Sequence, residues 1–358
     1  MLYVLSDLHL DERGEPRMFA DERQGRALKA LCERIANDEE GELVLLGDTF
    51  DFTSMVPPDY GLERFFRRLD VPLEPKPKRT LFELLHAVQE SNPVTFDALQ
   101  TLGKKRKITI VAGNHDHQIR QVRDVGFQAE IVESCERTIG EKRLVLQHGH
   151  EQDPGNREPG GSGEQMTRCV HQGVIPYLLH HGARRNVRMD VGRIVALRPE
   201  EATISVLQRW LDEPTFKKFF RAFVDLLADN GYLPKPVTFL AKMISVNRVR
   251  AAVAKADLTW EHTGSFAIEL LQGKRKLPHG ARNPDVLVFG HTHVLDWAAE
   301  DDKLYVNLGT WTERALDGNS PQDRTLPLLT FSAPEGRLQA KLDDLESGLE
   351  LQRYNQPG

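Results

Sequence analysis

Apolar residues along the 358-residue chain fall into two rhythms. Short unbroken runs, LYVL at 2–5, LVLL at 43–46, ITIV at 108–111, LVLQ at 144–147 and VLVF at 286–289, predict strands buried on both faces. Between the first two, Ala27, Leu28, Leu31 and Ile35 recur at helical spacing, with Asp21 or Glu22 placed to serve the helix start. Residues 80–102 carry further helical pattern, whereas 58–78 is rich in Pro and charge and reads as loop. After the 286 run, LYVNLG, LPLLTFSA and RLQAKL predict short strands, and the tail LESGLELQRYNQPG is expected to fray. Strand, helix, strand is the signature of an α/β core, and neither an internal repeat nor a low-complexity tract interrupts it.

Each of the five buried runs is followed at once by a polar cluster: SDLH, GDTFD, GNHD, HGH and GHTH. Each piece alone is ordinary, since D-x-H is common by chance and G-N-H-D commonly forms a turn with a helix cap. Five together at five strand ends point to one site, because reacting groups in open α/β sheets gather at the carboxyl ends of strands. Asp7, His9, Asp48, Asn114, His148, His291 and His293 form a mixed oxygen and imidazole set. That set is too polar for one structural zinc and suits two divalent cations. A two-metal centre needs one bridging ligand, and Asp48 is the choice because Gly47 lets the backbone turn sharply before it.

Composition narrows the class. With 40% hydrophobic and 28% charged residues and a net charge of −6, the chain reads as globular and not as a nucleic-acid coat. Cys32, Cys135 and Cys169 have spacings that fit neither a disulfide framework nor a zinc knuckle, which suits a reducing compartment. Asp7 comes too soon for a signal-peptide core and no apolar run approaches the ~20 residues of a membrane span. A cytoplasmic protein without an integral membrane segment is expected.

In their order, the five clusters resemble the motifs of the calcineurin-like metallophosphoesterases: D-x-H, G-D-x-x-D, G-N-H-D or E, H, and G-H-x-H. The resemblance covers residues 1 to about 150 and 285 to about 345. It implies a two-sheet β-sandwich flanked by helices. It also implies Asp7, His9 and His293 on one metal and Asn114, His148 and His291 on the other, with Asp48 between them. His115 would act on the substrate, Asp116 would orient His115, and Asp51 would stand behind the ligands. Two cations, Mn foremost and Fe, Zn or Co also accommodated, would lower the pKa of a bridging water so that hydroxide attacks phosphorus. A protonated His115 would then stabilise the leaving oxygen. The implied activity is hydrolysis of a phosphodiester or pyrophosphate bond in a nucleotide-linked or lipid-linked substrate, with a nuclease or a non-catalytic scaffold as the alternatives. GDTFDFT and GNHDH lack the arginine and glutamate of the protein serine/threonine phosphatases. SDLHL, LGDTFDF and GHTH look more like bacterial enzymes that cleave UDP-2,3-diacylglucosamine, although His115 stands where those have arginine and the chain is longer.

The extra length implies core segments 1–152 and 281–345, a mostly helical inserted cap over 153–280 and a flexible tail over 346–358. The entrance DPGNREPGGSGEQ and the exit GKRKLPHGARNP read as linkers. Phe216, Phe219, Phe220, Phe223, Leu226 and Leu227 form one helical stripe, expected to pack within the cap, with peripheral lipid contact as the alternative. From Arg184 to Lys255 there are 14 Lys or Arg against 7 Asp or Glu, so the cap is basic in an acidic chain. A basic cap suits an anionic phosphate-containing substrate, with Arg184, Arg185, Arg188, His180 and His181 as candidate contacts. His86, His117, His150, His171, His262 and His279 are read as structural or solvent-facing.

Overall fold

The computed structural model describes residues 1–12, 14, 16–197, 200, 202–232, 269–274, 277, 284–315 and 323–356. In chain order the strands are Leu2–Leu5 (β1), Glu42–Leu46 (β2), Lys107–Val111 (β3), Glu130–Val132 (β4), Cys135–Ile139 (β5), Lys142–Leu146 (β6), Val286–Phe289 (β7), Leu295–Glu300 (β8), Lys303–Leu308 (β9), Pro327–Ser332 (β10), Gln339–Asp344 (β11) and Glu350–Asn355 (β12). The α-helices are Arg26–Ala36 (α1), Phe52–Met55 (α2), Leu62–Arg68 (α3), Leu81–Ser91 (α4), Pro93–Gly103 (α5), Ser162–Cys169 (α6), Ile175–Arg185 (α7), Val191–Ala196 (α8), Ala202–Trp210 (α9) and Glu213–Asp229 (α10). One sheet has the order β12-β11-β10-β1-β2-β3-β4 and the other β5-β6-β7-β9-β8. Strands β1 to β4 run parallel, as do β6, β7 and β9, while the outer strands join antiparallel.

Alternation along each strand explains the unbroken apolar runs. Val4, Val44, Leu46 and Val111 face Leu144, Leu146, Val286, Val288 and Val306 across the space between the sheets. Tyr3, Leu5, Leu43, Leu45, Ile108 and Ile110 point the other way, into a second core with Leu28, Leu31, Ile35, Leu85, Val88 and Leu99 of α1, α4 and α5. A strand covered on both faces has no polar side to show, so it carries no two-residue polar alternation. The result is the two-sheet sandwich flanked by helices that the motif order implied.

Three local expectations are corrected. The Pro-rich stretch read as loop holds α3, whose Phe65 and Phe66 are buried in the cap core. Asp21 does not cap the helix that follows it; its carboxylate accepts from Val94 N at 2.8 Å and Thr95 N at 3.0 Å, at the first turn of α5. The tail expected to fray contains β12, which pairs antiparallel with β11 and buries Tyr354. Its apolar residues are few, and backbone pairing to an exposed strand edge is what holds it.

Helices α6 to α10 lie within 153–280 and share a core with α3. Phe216, Phe219, Phe220, Phe223, Leu226 and Leu227 are all buried there, and Phe219 stacks on both Tyr177 and Phe223 at 5.3 and 5.5 Å. The stripe therefore faces protein, and lipid contact through it has no support. Arg198, Lys235, Lys242, Arg248, Arg250 and Lys255 of the basic count, with His262 and His279, lie outside the described residues. Removing the Phe219 ring should cost about 3–5 kcal/mol in urea-induced unfolding, the cost of truncating a buried aromatic side chain. A ring facing lipid or water would cost under about 0.5 kcal/mol.

Candidate metal centre

Because β1, β2 and β3 are parallel and in register, their carboxyl ends form one rim. Backbone pairing runs on past the strands, with Asp7 N to Gly47 O at 3.2 Å and His9 N to Asp48 O at 2.9 Å. The second sheet meets this rim through β6 and β7, where Gly290 N donates to His148 O at 3.0 Å. The carbonyl of Asp7 accepts from Trp311 N at 3.1 Å and Thr310 Oγ1 at 3.0 Å.

The backbone at the rim is strained. Asp7, His9, Asp48, His291 and His293 all have left-handed φ, between 46° and 70°. Each such residue costs about 1–3 kcal/mol and persists only where its surroundings over-determine it. In exchange, Asp7, His9 and His293 gather at one point and Asp48 and His291 at a second. Three glycines leave the room: a Cβ at Gly47 would overlap the His148 ring, at Gly113 the Asp48 carboxylate, and at Gly290 both Ser6 and Asp7.

Two groups of side chains result. In the first, His9 Nε2 and His293 Nε2 are 3.0 Å apart and Asp7 Oδ1 lies 3.2 Å from His293 Nε2. In the second, His148 Nε2 lies 3.1 Å from Asp48 Oδ2 and 3.2 Å from Asn114 Oδ1, and the His148 and His291 ring centroids are 5.3 Å apart. Asp48 Oδ2 also faces His9 Nε2 at 3.8 Å, so one carboxylate oxygen looks toward a histidine of each group. All seven sequence-predicted ligands therefore come together.

Electrostatics follow from burial. Asp7, Asp48 and Asp51 are at most 1% exposed. Burial opposes their ionisation, but the surrounding imidazoles outweigh it and hold all three carboxyls below the usual range. Burial likewise opposes charge on His9, yet contacts with Asp51 and Asp7 lift it to about 10. His148 is lifted to about 10 against its burial by the charges of Asp48 and Asp7. The pocket is built to hold positive charge. His150, half-buried beside His148 and His291, is instead pushed down to about 3 by desolvation and stays neutral.

The orientation expected of Asp116 is corrected. The His115 ring is held by Asp51, with Nδ1 2.7 Å from Asp51 Oδ1. Asp116 turns away and accepts from Gly113 N at 2.7 Å and Phe50 N at 3.1 Å, clamping the third motif to the second. Adjacency in sequence misled here, because neighbouring side chains on an extended or turn segment point apart. Asp51, placed behind the ligands by resemblance, is the missed partner of His115; Asp153, 3.0 Å from His291 Nε2, was missed altogether, in a stretch read as linker. The cap arginines show no such convergence. Arg184 lines an open groove with Arg67, Asp70, Val71, Pro72 and His180, Arg185 pairs with Asp212 at 3.0 Å, and Arg188 is exposed.

The donor set fits divalent cations. Asp7 Oδ1 is buried without a hydrogen-bond partner among the described residues, and separations of 3.0–3.2 Å between donors suit neighbours on one ion with ~2.1 Å bonds. A profile of calcineurin-like phosphoesterases matches residues 1–295, and the chain belongs to that family. No curated protein matches it. Among solved structures the chain is similar to a dimetal phosphatase from Danio rerio, at 12% identity over 99% of this chain and 97% of that one with a TM-score of 0.38. It is similar also to wild-type Vps29 complexed with zinc from Entamoeba histolytica, at 12% identity over 99% and 98% with a TM-score of 0.36. An archaeal phosphodiesterase matches at 9% identity over 99% and 98%, with a TM-score of 0.31. Among the described residues no helix is long and apolar enough to cross a membrane.

Two substitutions separate the roles of the acidic residues. Asp116→Asn leaves one of two buried amides without its acceptor and should cost about 1–3 kcal/mol in urea unfolding. Gly113→Ala displaces Asp48 and should reduce Mn²⁺ retained per chain in both groups, measured by elemental analysis, with the circular dichroism spectrum unchanged.

Proposed function

We propose that the chain is a two-metal phosphoesterase that hydrolyses a phosphodiester or pyrophosphate bond. The observation that carries this reading is the shared oxygen of Asp48, Oδ2, which faces His148 of one group and His9 of the other. Asp7, His9 and His293 would hold one cation, Asn114, His148 and His291 the second, with Asp48 between. Bound there, two divalent cations lower the pKa of coordinated water and neutralise charge on phosphate oxygens. Manganese is the cation we favour, and iron, zinc or cobalt suit the same donors.

The chain's own residues supply the rest. Asp51 fixes Nδ1 of His115 and so leaves Nε2 as the ring atom that hands a proton to the leaving oxygen. His115 is positioned twice, since its backbone amide donates to Asp48 Oδ1 at 2.8 Å. A proton donor beside the leaving oxygen matters most where that oxygen is a poor leaving group, as in an alkyl phosphodiester. The substrate is anionic, and the cations are the main source of attraction for its phosphate.

A Mn²⁺-loaded panel of a simple monoester, a simple diester, cyclic nucleotides, UDP-2,3-diacylglucosamine and single-stranded DNA tests the proposal. Turnover of a diester or pyrophosphate is expected. His115→Ala should lower kcat by about 10²- to 10⁴-fold, the range for removing a general acid. Undiminished turnover in the Asp48→Ala/His115→Ala double variant would overturn it, as would fewer than one Mn²⁺ per chain, which would favour a scaffold.

A further inference from the structure

The entrance of the insertion reads as a linker by composition, yet it is a built turn. Asp153 Oδ1 accepts the Gly155 amide at 2.8 Å, Asn156 N donates to Asp153 O at 3.0 Å, and Gly163 N donates to Gly155 O at 3.0 Å. A Cβ at Gly163, in the first turn of α6, would overlap the Asn156 side chain, so glycine there is what lets Asn156 sit where it does.

Both polar side chains of this turn reach residues of the second group. Asp153 Oδ2 lies 3.0 Å from His291 Nε2 and accepts from Asn156 Nδ2 at 2.6 Å. The same Asn156 presents Oδ1 to Asn114 Nδ2 at 3.4 Å. A continuous path, His291 to Asp153 to Asn156 to Asn114, thus joins two side chains that come from the ends of β7 and β3 in different sheets. The first group is braced from the core instead. Ser6 Oγ, with one hydrogen to donate, lies against the Asp7 carboxylate and 2.7 Å from Leu46 O, while Asp51 Oδ2 faces His9 Nδ1 at 3.7 Å.

We propose that Asp153 and Asn156 are positioning residues, a clip by which the insertion sets the affinity of the cation held by Asn114, His148 and His291 and leaves the other cation to the core. The proposal rests on the two-cation reading above. A carboxylate on one ring nitrogen fixes both the tautomer and the rotation of an imidazole, and makes the other nitrogen a better ligand. With Asp153 on Nε2, Nδ1 is the atom left for the cation. Asn156 does the same for Asn114, whose amide has to present its oxygen and not its nitrogen. Loss of such outer partners typically costs about 10–100-fold in metal affinity.

The test is a Mn²⁺ titration of the full chain at buffered free metal, with bound metal per chain counted and electron paramagnetic resonance distinguishing a lone Mn²⁺ from a coupled pair. In Asp153→Ala, Asn156→Ala and Gly163→Ala, one binding step should weaken about 10–100-fold. The other should stay at its wild-type value, so that a lone-ion spectrum grows in. Gly163→Ala reaches the clip without removing a polar group. Asp153→Asn can keep its oxygen on Nε2–H only by turning its NH2 toward the Gly155 amide, so it should fall between wild type and Asp153→Ala. Unchanged titrations in all three variants, equal weakening of both steps, or Asp153→Asn behaving like Asp153→Ala would each overturn the clip while leaving the two-cation reading intact. A wild-type chain that takes up no pair of ions would overturn both.

Discussion

Asp48 sits out of water with His148 Nε2 at 3.1 Å, His9 Nε2 at 3.8 Å and the His115 amide at 2.8 Å. Burying a carboxylate this way is costly unless partners of opposite sign surround it. Asp7 and Asp51 face the same requirement within the same small volume, and the histidines that satisfy them are buried too. The only arrangement that leaves no group stranded is one that concentrates positive charge between the two clusters, through protons on the imidazoles or through cations. Much of the rim can be understood as the means of enforcing that arrangement. Left-handed φ at five of its residues aims the side chains inward, glycines 47, 113 and 290 make room, and Asp116 ties the third motif to the second.

Such strain needs a stiff frame. It comes from the cores on the two sides of the β1–β4 sheet, one against the second sheet and one against α1, α4 and α5. The parallel register of β1, β2 and β3 brings three motifs to one edge, and β6 and β7 bring two more. Helices α6 to α10 share with α3 a third core that includes Phe65, Tyr177, Phe219 and Phe223, distinct from the two that cover the β1–β4 sheet. The turn at Asp153 is one place where the insertion and the rest of the chain come into polar contact, and Gln172, whose Nε2 donates to Ser54 O, is another.

Much of this was legible in the chain. Buried strands declare themselves by unbroken apolar runs, and the polar clusters after them declare the rim, because both are short-range features written in consecutive residues. All seven expected ligands come together for that reason. Elements held by pairing or by contacts far along the chain were less visible. Helix α3 hides among prolines and charges because its apolar face is satisfied by α10 and Tyr177, and β12 carries too few apolar residues to stand out from a frayed end.

The division between sequence and tertiary structure is sharpest at the aspartates. Sequence by itself determined which residue types stand at the strand ends, and with them the chemistry available, since a D-x-H or G-H-x-H carries its own backbone geometry. Only the tertiary structure decided who serves whom. It placed Asp51, and not the adjacent Asp116, on His115, and it gave Asp153 of an apparent linker to His291 from far along the chain. The physical reason is that a side chain's direction depends on local φ and ψ, whereas its partner depends on which distant backbone the packed sheets bring within about 3 Å of it.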